Sequence, residues 1–143
     1  MLGTYRIYVD LPVSDLDRAR MWYAAKLGLT PVAEAGGGLL YLSGGVPLYM
    51  FRSPAAGSAR ITAVSWLVDD LRSVMADLRS RGVRFQQYSV GDEGPSTVNG
   101  VVHEATGGSA TWFKDSEGNT LSITQLPRGI HLPGVNSLGD RRA

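Results

Sequence analysis

The chain has 143 residues, of which 43% are apolar and 19% charged, a composition typical of one compact globular domain. The formal net charge of +1 gives no electrostatic reason to expect a nucleic-acid partner or an anionic membrane surface, and no apolar run reaches transmembrane length. The absence of cysteine excludes disulfides, thiolate nucleophiles and zinc–thiolate sites. Because residues 1–10 also carry no secretory pattern, we expect a cytoplasmic protein.

The first half of the chain predicts a strand, a helix and a hairpin. β-Branched and aromatic side chains favour the strand, and Pro12 is expected to end it. Ser14 and Asp15 offer a helix N-cap, while Gly28 is a plausible C-terminal stop. The predicted elements are a strand over 5–11, a helix over 15–28, and strands over 39–42 and 47–52 joined by a glycine turn.

The second half repeats this succession. Asp69 and Asp70 can cap a helix whose apolar residues recur at helical spacing, and Gly82 can close it. The predicted strands cover 61–68, 83–88, 101–104, 110–114 and 120–125.

An internal repeat organises these elements. The segment Val13-Ser14-Asp15-Leu16 recurs as Val68-Asp69-Asp70-Leu71, and each copy follows a strand and opens a helix. Each helix is followed by about three short strands. The sequence therefore predicts two copies of a strand–helix–strand–strand–strand module.

This organisation resembles the vicinal-oxygen-chelate superfamily, which includes glyoxalases, extradiol dioxygenases and bleomycin-binding proteins. The resemblance is carried by four motifs: LPVSDLDRA at 11–19, WY at 22–23, LGL at 27–29 and WFKDSEGNTL at 112–121. It implies an α+β fold in which two βαβββ modules, about 4–57 and 58–126, form a curled mixed sheet around a cleft. The two modules would make a single domain over 1–126, followed by a C-terminal tail over 127–143. By the same analogy we expect a homodimer.

The four positions at which metal-dependent relatives carry ligands are Tyr8, Tyr49, Ala63 and Ser122 in this chain. Alanine cannot bind a metal, and serine and neutral tyrosine are poor ligands for divalent ions. We therefore expect no metal site and no cofactor.

The resemblance also indicates which side chains face the cleft, since positions in the ligand register alternate along each strand. Such a cavity would suit an organic ligand with a flat or apolar body. Two roles for Tyr8 and Tyr49 stay open: they contact a ligand, or they fill the space that a metal and substrate occupy in relatives. The candidate ligand-binding residues are Arg6, Tyr8, Asp10, Tyr49, Ser65, Trp66, Trp112 and Ser122.

Three functions follow as hypotheses. The first is a binding module that sequesters a small organic molecule, such as an antibiotic or a metabolite. The second is a metal-free isomerase, lyase or hydrolase, for which Asp10, His103 and Glu104 are the candidate acid–base groups, with Tyr8 beside them. The third is a metal-dependent lyase or dioxygenase with shifted ligands. We expect the binding module, and whether any reaction is catalysed stays open.

Overall fold

The computed structural model describes residues 1–89 and 96–130. Contacts divide these residues into two compact units, one comprising 1–64 with 115–120 and the other 65–89, 96–114 and 121–130. The predicted tail over 127–143 lies outside the described residues from residue 131 onward.

The first half of the chain forms one helix and a four-stranded mixed sheet. Strand β1 runs parallel to β4, while β3 is antiparallel to both β4 and β2, which gives the order β1-β4-β3-β2. After a 3-10 turn at Leu2–Thr4, the elements are β1 (Val9–Val13), α1 (Leu16–Trp22), β2 (Ala33–Ala35), β3 (Gly38–Ser43) and β4 (Val46–Arg52).

The second half of the chain repeats that arrangement. Its sheet has the order β5-β8-β7-β6, in which the first strand of the module again lies beside the last. The elements are β5 (Thr62–Leu67), α2 (Leu71–Ser80), β6 (Val101–His103), β7 (Ser109–Lys114) and β8 (Thr120–Gln125). The predicted α+β fold of two βαβββ modules is confirmed.

Both helices begin and end where the sequence predicts. Asp15 accepts a hydrogen bond from the Arg18 N–H at 2.9 Å, and Asp70 accepts one from the Ser73 N–H at 3.1 Å. Helix α1 continues as a π-helical turn over Tyr23–Leu27 and stops at Gly28, whose φ of 66° is the left-handed conformation that favours glycine.

Two strand predictions were wrong in detail, and one strand was missed. Strand β1 begins at Val9 rather than at residue 5, and Pro12 lies inside it, paired with Phe51. Proline is tolerated there because β1 is an edge strand, so one side of it needs no hydrogen-bond donor. The predicted strand over 83–88 reduces to a single bridge between Phe85 and Phe113. Strand β2 escaped prediction because Ala-Glu-Ala has low strand propensity.

Each unit has its own apolar core, built from one face of its sheet and one face of its helix. The largest fully buried side chains of the first unit include Leu11, Tyr23, Tyr41 and Met50. Those of the second include Phe113, Leu121 and Ile123. Among the described residues, no helix has the length and apolar character needed to cross a membrane.

The turn between β7 and β8 belongs to the first unit, where it binds the start of α1. The carboxylate of Glu117 accepts hydrogen bonds from the Ser14 N–H at 3.0 Å, the Asp15 N–H at 2.8 Å and the Arg18 guanidinium at 2.8 Å. The Tyr23 hydroxyl donates to Asp115 at 2.8 Å. The bonds of Glu117 therefore hold the N-terminus of α1, and the bond of Asp115 holds the turn that follows the helix.

Burial and hydrogen bonding act in opposite directions on Glu117. Burial by itself would raise the pKa of this carboxyl, but the hydrogen bonds from Arg18, the Asp15 N–H, Ser116 and Ser14 outweigh it and hold the pKa at about 2. The Glu117 side chain has no exposed surface, whereas that of Arg18 is 53% exposed. The group is therefore a buried, charged anchor of the fold.

Candidate ligand-binding site

The first sheet buries one face and leaves the other open. Along β4, Leu48 and Met50 are buried, whereas the alternate residues Pro47, Tyr49 and Phe51 are only partly buried. Successive strand residues point to opposite faces, so the partly buried set lies on the face turned away from the core. The side chains of this open face are accessible to a ligand.

One row of side chains crosses the open face at Tyr49. Strand pairing sets Asp10 beside Tyr49 on one side and Leu40 beside it on the other. Residues paired across neighbouring strands share a face, so a carboxylate, a phenol and an isobutyl group lie next to one another. Asp10 is exposed to solvent.

A depression lies on this open face and extends to the chain that precedes β1. Its volume is about 320 Å³, at the small end of the range for sites that hold organic ligands. Its lining combines three apolar residues, two tyrosines and a single cation: Ile7, Leu40, Pro47, Tyr8, Tyr49 and Arg6.

Tyr49 is held in place by hydrogen bonds of its hydroxyl and by contacts of its ring. Its hydroxyl donates to the carbonyl of Ala35 at 2.8 Å and lies 3.2 Å from the carbonyl of Gly36. The ring passes over Gly38, where a Cβ atom would lie 2.6 Å from the ring carbon Cζ, closer than real Cβ contacts allow. Phe51 stacks beside it with a centroid distance of 6.4 Å and an angle of 15°. The ring therefore has little freedom to move.

The chain before β1 contributes Arg6, Ile7 and Tyr8. Predicted to be part of a strand, these residues instead precede it, and the side chain of Tyr8 is 60% exposed. Within the described ranges, Arg6 forms no ion pair with Asp10, and both residues are exposed. The structure thus brings Arg6, Tyr8 and Tyr49 together in one depression, with Asp10 beside Tyr49.

The remaining predicted ligand-binding residues lie in the second unit. The hydroxyls of Ser65 and Ser122 are 2.8 Å apart, and Ser122 is buried. Trp66 follows Ser65 directly in β5, so the two side chains point to opposite faces. Trp112 packs edge-on against Tyr88, with ring centroids 6.0 Å apart. The assignment of these residues to ligand binding stays a prediction.

The candidate acid–base groups do not form a catalytic cluster within either unit. Asp10 belongs to the first unit, while His103 and Glu104 belong to the second, and all three are exposed. Glu104 is engaged locally, because its carboxylate accepts a hydrogen bond from the Thr106 hydroxyl at 3.4 Å.

The residues at the family's metal-ligand positions do not fit a divalent ion. The phenol oxygen of Tyr49 is already engaged with backbone carbonyls, and the Ser122 hydroxyl pairs with Ser65. Ala63 has no donor atom. In the part of the chain that the structure describes, no three His, Cys, Asp or Glu side chains converge as a metal-binding group.

Sequence reasoning missed three residues that line the depression, Ile7, Leu40 and Pro47. A signal for Leu40 was present, because a two-residue turn fixes the register of a hairpin. Gly44 and Gly45 form that turn with φ values of 56° and 78°, which places Leu40 opposite Tyr49. Ile7 had no such signal, because the chain there is not a strand.

A comparison with protein-family models matches residues 7–123 to the Glyoxalase/Bleomycin resistance protein/Dioxygenase superfamily. A search of curated proteins found no match. Among solved structures, the chain is similar to TnmS3, an antibiotic binding protein from Streptomyces, at 23% identity and a TM-score of 0.62, covering 87% of this chain and 98% of that one.

Two further similar structures are, by name, a binding protein and an enzyme. A bleomycin-binding protein in complex with bleomycin is 20% identical, with a TM-score of 0.60 and coverage of 86% of this chain and 99% of that one. A lactoylglutathione lyase from Agrobacterium tumefaciens is 14% identical, with a TM-score of 0.65 and coverage of 89% and 98%. At these identities the likeness establishes the fold, which serves both binding proteins and enzymes.

Proposed function

Because the chain belongs to the glyoxalase/bleomycin resistance protein/dioxygenase superfamily, we propose that it binds a small organic molecule and releases it unchanged. The observation that carries the proposal is the depression on the open face of the first sheet, with its two tyrosines, apolar walls and one guanidinium. Such linings fit organic ligands, which bury apolar area and meet a few polar groups. Sequestration of an antibiotic or a metabolite is the role we propose.

The names of two structural neighbours support this choice over catalysis. One of those proteins binds bleomycin and the other is described as an antibiotic binding protein. Among the described residues that line the depression, none is a carboxylate or a histidine that could move a proton. Asp10 lies beside Tyr49 but is exposed to water. It therefore lacks the enclosed, water-free surroundings that help a general base to act.

The experiment is a binding screen with a chemical readout. Isothermal titration of a panel of aromatic natural products and small metabolites should yield at least one saturable ligand. Mass spectrometry after prolonged incubation should recover that ligand unchanged, with and without added Zn²⁺, Mn²⁺ or Fe²⁺.

Two outcomes of that screen would replace the proposal. Turnover without added metal would favour the metal-free enzyme, with Asp10→Asn as the next variant. Turnover that requires a metal ion, or a stoichiometric ion in protein purified without chelator, would favour a metal-dependent enzyme with shifted ligands.

We also propose that the protein acts as a homodimer. Large apolar side chains that stay exposed on a single chain are typical of surfaces that another protein covers. Three such side chains near the start of the chain are exposed and do not line the depression: Met1, Leu2 and Tyr5.

A further inference from the structure

The lining of the depression carries positive charge without negative charge among the described residues. Among the described residues that line it, Arg6 is the only charged one, and none is acidic. In the same described ranges Arg6 forms no ion pair, whereas Arg18 and Arg20 each pair with a glutamate. A guanidinium at the edge of an apolar site is well suited to a planar anion, to which it can donate two parallel hydrogen bonds.

The Tyr49 hydroxyl is already hydrogen-bonded within the protein. Its single proton goes to the carbonyl of Ala35, and the carbonyl of Gly36 lies close to the same oxygen. The hydroxyl is therefore unavailable as a donor to a ligand, and what Tyr49 presents is its ring face. With Leu40 and Pro47 beside it, this face forms a flat apolar floor.

We infer that the depression selects a planar aromatic carboxylate, with the ring system stacked on Tyr49 and the carboxylate paired with Arg6. This inference rests on the proposed function and adds the chemical class of the ligand. The volume of about 320 Å³ sets the size, since it suits one or two fused rings rather than a large peptide-like molecule.

The charges around the depression also set the orientation of the ligand. Asp10 lies beside Tyr49 in the same row, so a carboxylate at that end would meet a like charge. Glu34 of β2 is paired with Arg20 at 3.4 Å and lies beside Leu39, on the other face of the sheet from Tyr49. The anion therefore lies at the Arg6 end.

The test compares two flat probes of equal shape, 2-naphthoate and its neutral amide, by isothermal titration. We expect naphthoate to bind about 5- to 10-fold more tightly than naphthamide. In Arg6→Gln this ratio falls to about one, because naphthoate weakens while naphthamide keeps its affinity. Arg72→Gln, which removes an exposed arginine of α2, should leave the ratio unchanged.

Two variants of Tyr49 test the stacking half of the inference. Tyr49→Phe should keep both affinities within about twofold, since the hydroxyl serves the hairpin rather than the ligand. Tyr49→Ala should weaken both probes by at least about fivefold. A large loss in Tyr49→Phe with retained thermal stability would overturn the assignment of the hydroxyl.

The outcomes separate this inference from the proposed function. Equal affinity for the two probes, or tighter binding of naphthamide, overturns the anion selectivity while small-molecule binding stands. Binding of neither probe overturns the ligand class, and the broader panel then decides the proposed function independently.

Discussion

Two buried tyrosines of the first unit differ in a single hydrogen bond. Tyr23 and Tyr41 are both fully buried, with ring centroids 6.3 Å apart. Burial and the neighbouring Asp115 carboxylate raise the pKa of Tyr23, which stays protonated and donates to that carboxylate. Among the described residues, the Tyr41 hydroxyl has no hydrogen-bond partner.

This contrast gives a matched pair of variants. Tyr23→Phe should lower the free energy of unfolding by about 1–2 kcal/mol, because a hydrogen bond to a buried carboxylate is lost. Tyr41→Phe should leave it unchanged or raise it by up to about 1 kcal/mol, because it removes a desolvated hydroxyl that pairs with nothing in the described structure. Urea denaturation of both variants measures the difference, and equal losses would show that the hydroxyls are equivalent.

At the scale of single residues, the sequence indicated Tyr49 and Tyr8 but not what surrounds them. Both are positions at which metal-dependent relatives carry ligands, so the resemblance to the family was enough to identify them. Both line the depression. Their neighbour Ile7 was not predictable from periodicity, because it lies in an irregular segment. The engagement of the Tyr49 hydroxyl with Ala35 depends on strand β2, which carries no strong strand signal.

At the scale of secondary-structure elements, the anchor of α1 is the turn that closes the second module. Glu117 has a pKa of about 2 in the folded chain, below its ordinary value in an unfolded one. A carboxylate with a depressed folded pKa stabilises the fold above the unfolded pKa, and this contribution is lost as the pH falls from about 4.5 towards 2.

Removing the charge of Glu117 should therefore change the acid sensitivity of the protein. Glu117→Gln is expected to be less stable than the parent by about 1–2 kcal/mol at pH 7, a value reduced by solvent around the half-exposed Arg18. The difference should shrink to less than half at pH 3. Denaturant titrations at pH 7, 5 and 3 measure it.

Glu34→Gln is the matched control, because its ion pair with Arg20 is exposed on both sides. It should change stability by less than about 0.5 kcal/mol at any of these pH values. A Glu117→Gln variant with the same small effect would show that the turn does not anchor the helix through charge.

The elements themselves were largely predictable because their signals are local. Asp15, Asp70 and Gly28 act as caps through their own chemistry, and all three lie where the sequence predicts. The start of β1 was not, because it depends on the partner strand: the residue of β4 before Leu48 is Pro47, which has no N–H to donate. The bonds of Glu117 to Ser14 join distant parts of the chain, and periodicity carries no information about them.

At the scale of the whole molecule, the proposed homodimer is tested by sedimentation at micromolar concentration. We expect a species of twice the 15.3 kDa chain mass. Leu2→Asp should weaken the dimer, because a charge placed in an apolar interface is costly to desolvate. Met21→Asp, at a similarly exposed apolar residue of α1, is the control and should not. Sedimentation of the parent protein as a single chain would contradict the proposal.

The internal repeat is the reason why the architecture was predictable at this scale. Each copy has the same capped helix after its first strand, and the two sheets have equivalent strand orders. The ligand was not predictable, since the family's fold hosts both binding proteins and enzymes. Its chemical class depends on which side chains meet on the open face, a property of three-dimensional structure.

The central claim is that the depression beside Tyr49 binds a small organic molecule, and two tyrosine variants test it most directly. Tyr8 lines the depression, whereas Tyr5 in the same segment is similarly exposed, at 70%, but does not. With any ligand found in the screen, Tyr8→Ala should weaken binding about fivefold by titration calorimetry, and Tyr5→Ala by less than twofold. Equal affinities for the parent and both variants would contradict the claim, since the ligand would then bind elsewhere on the protein.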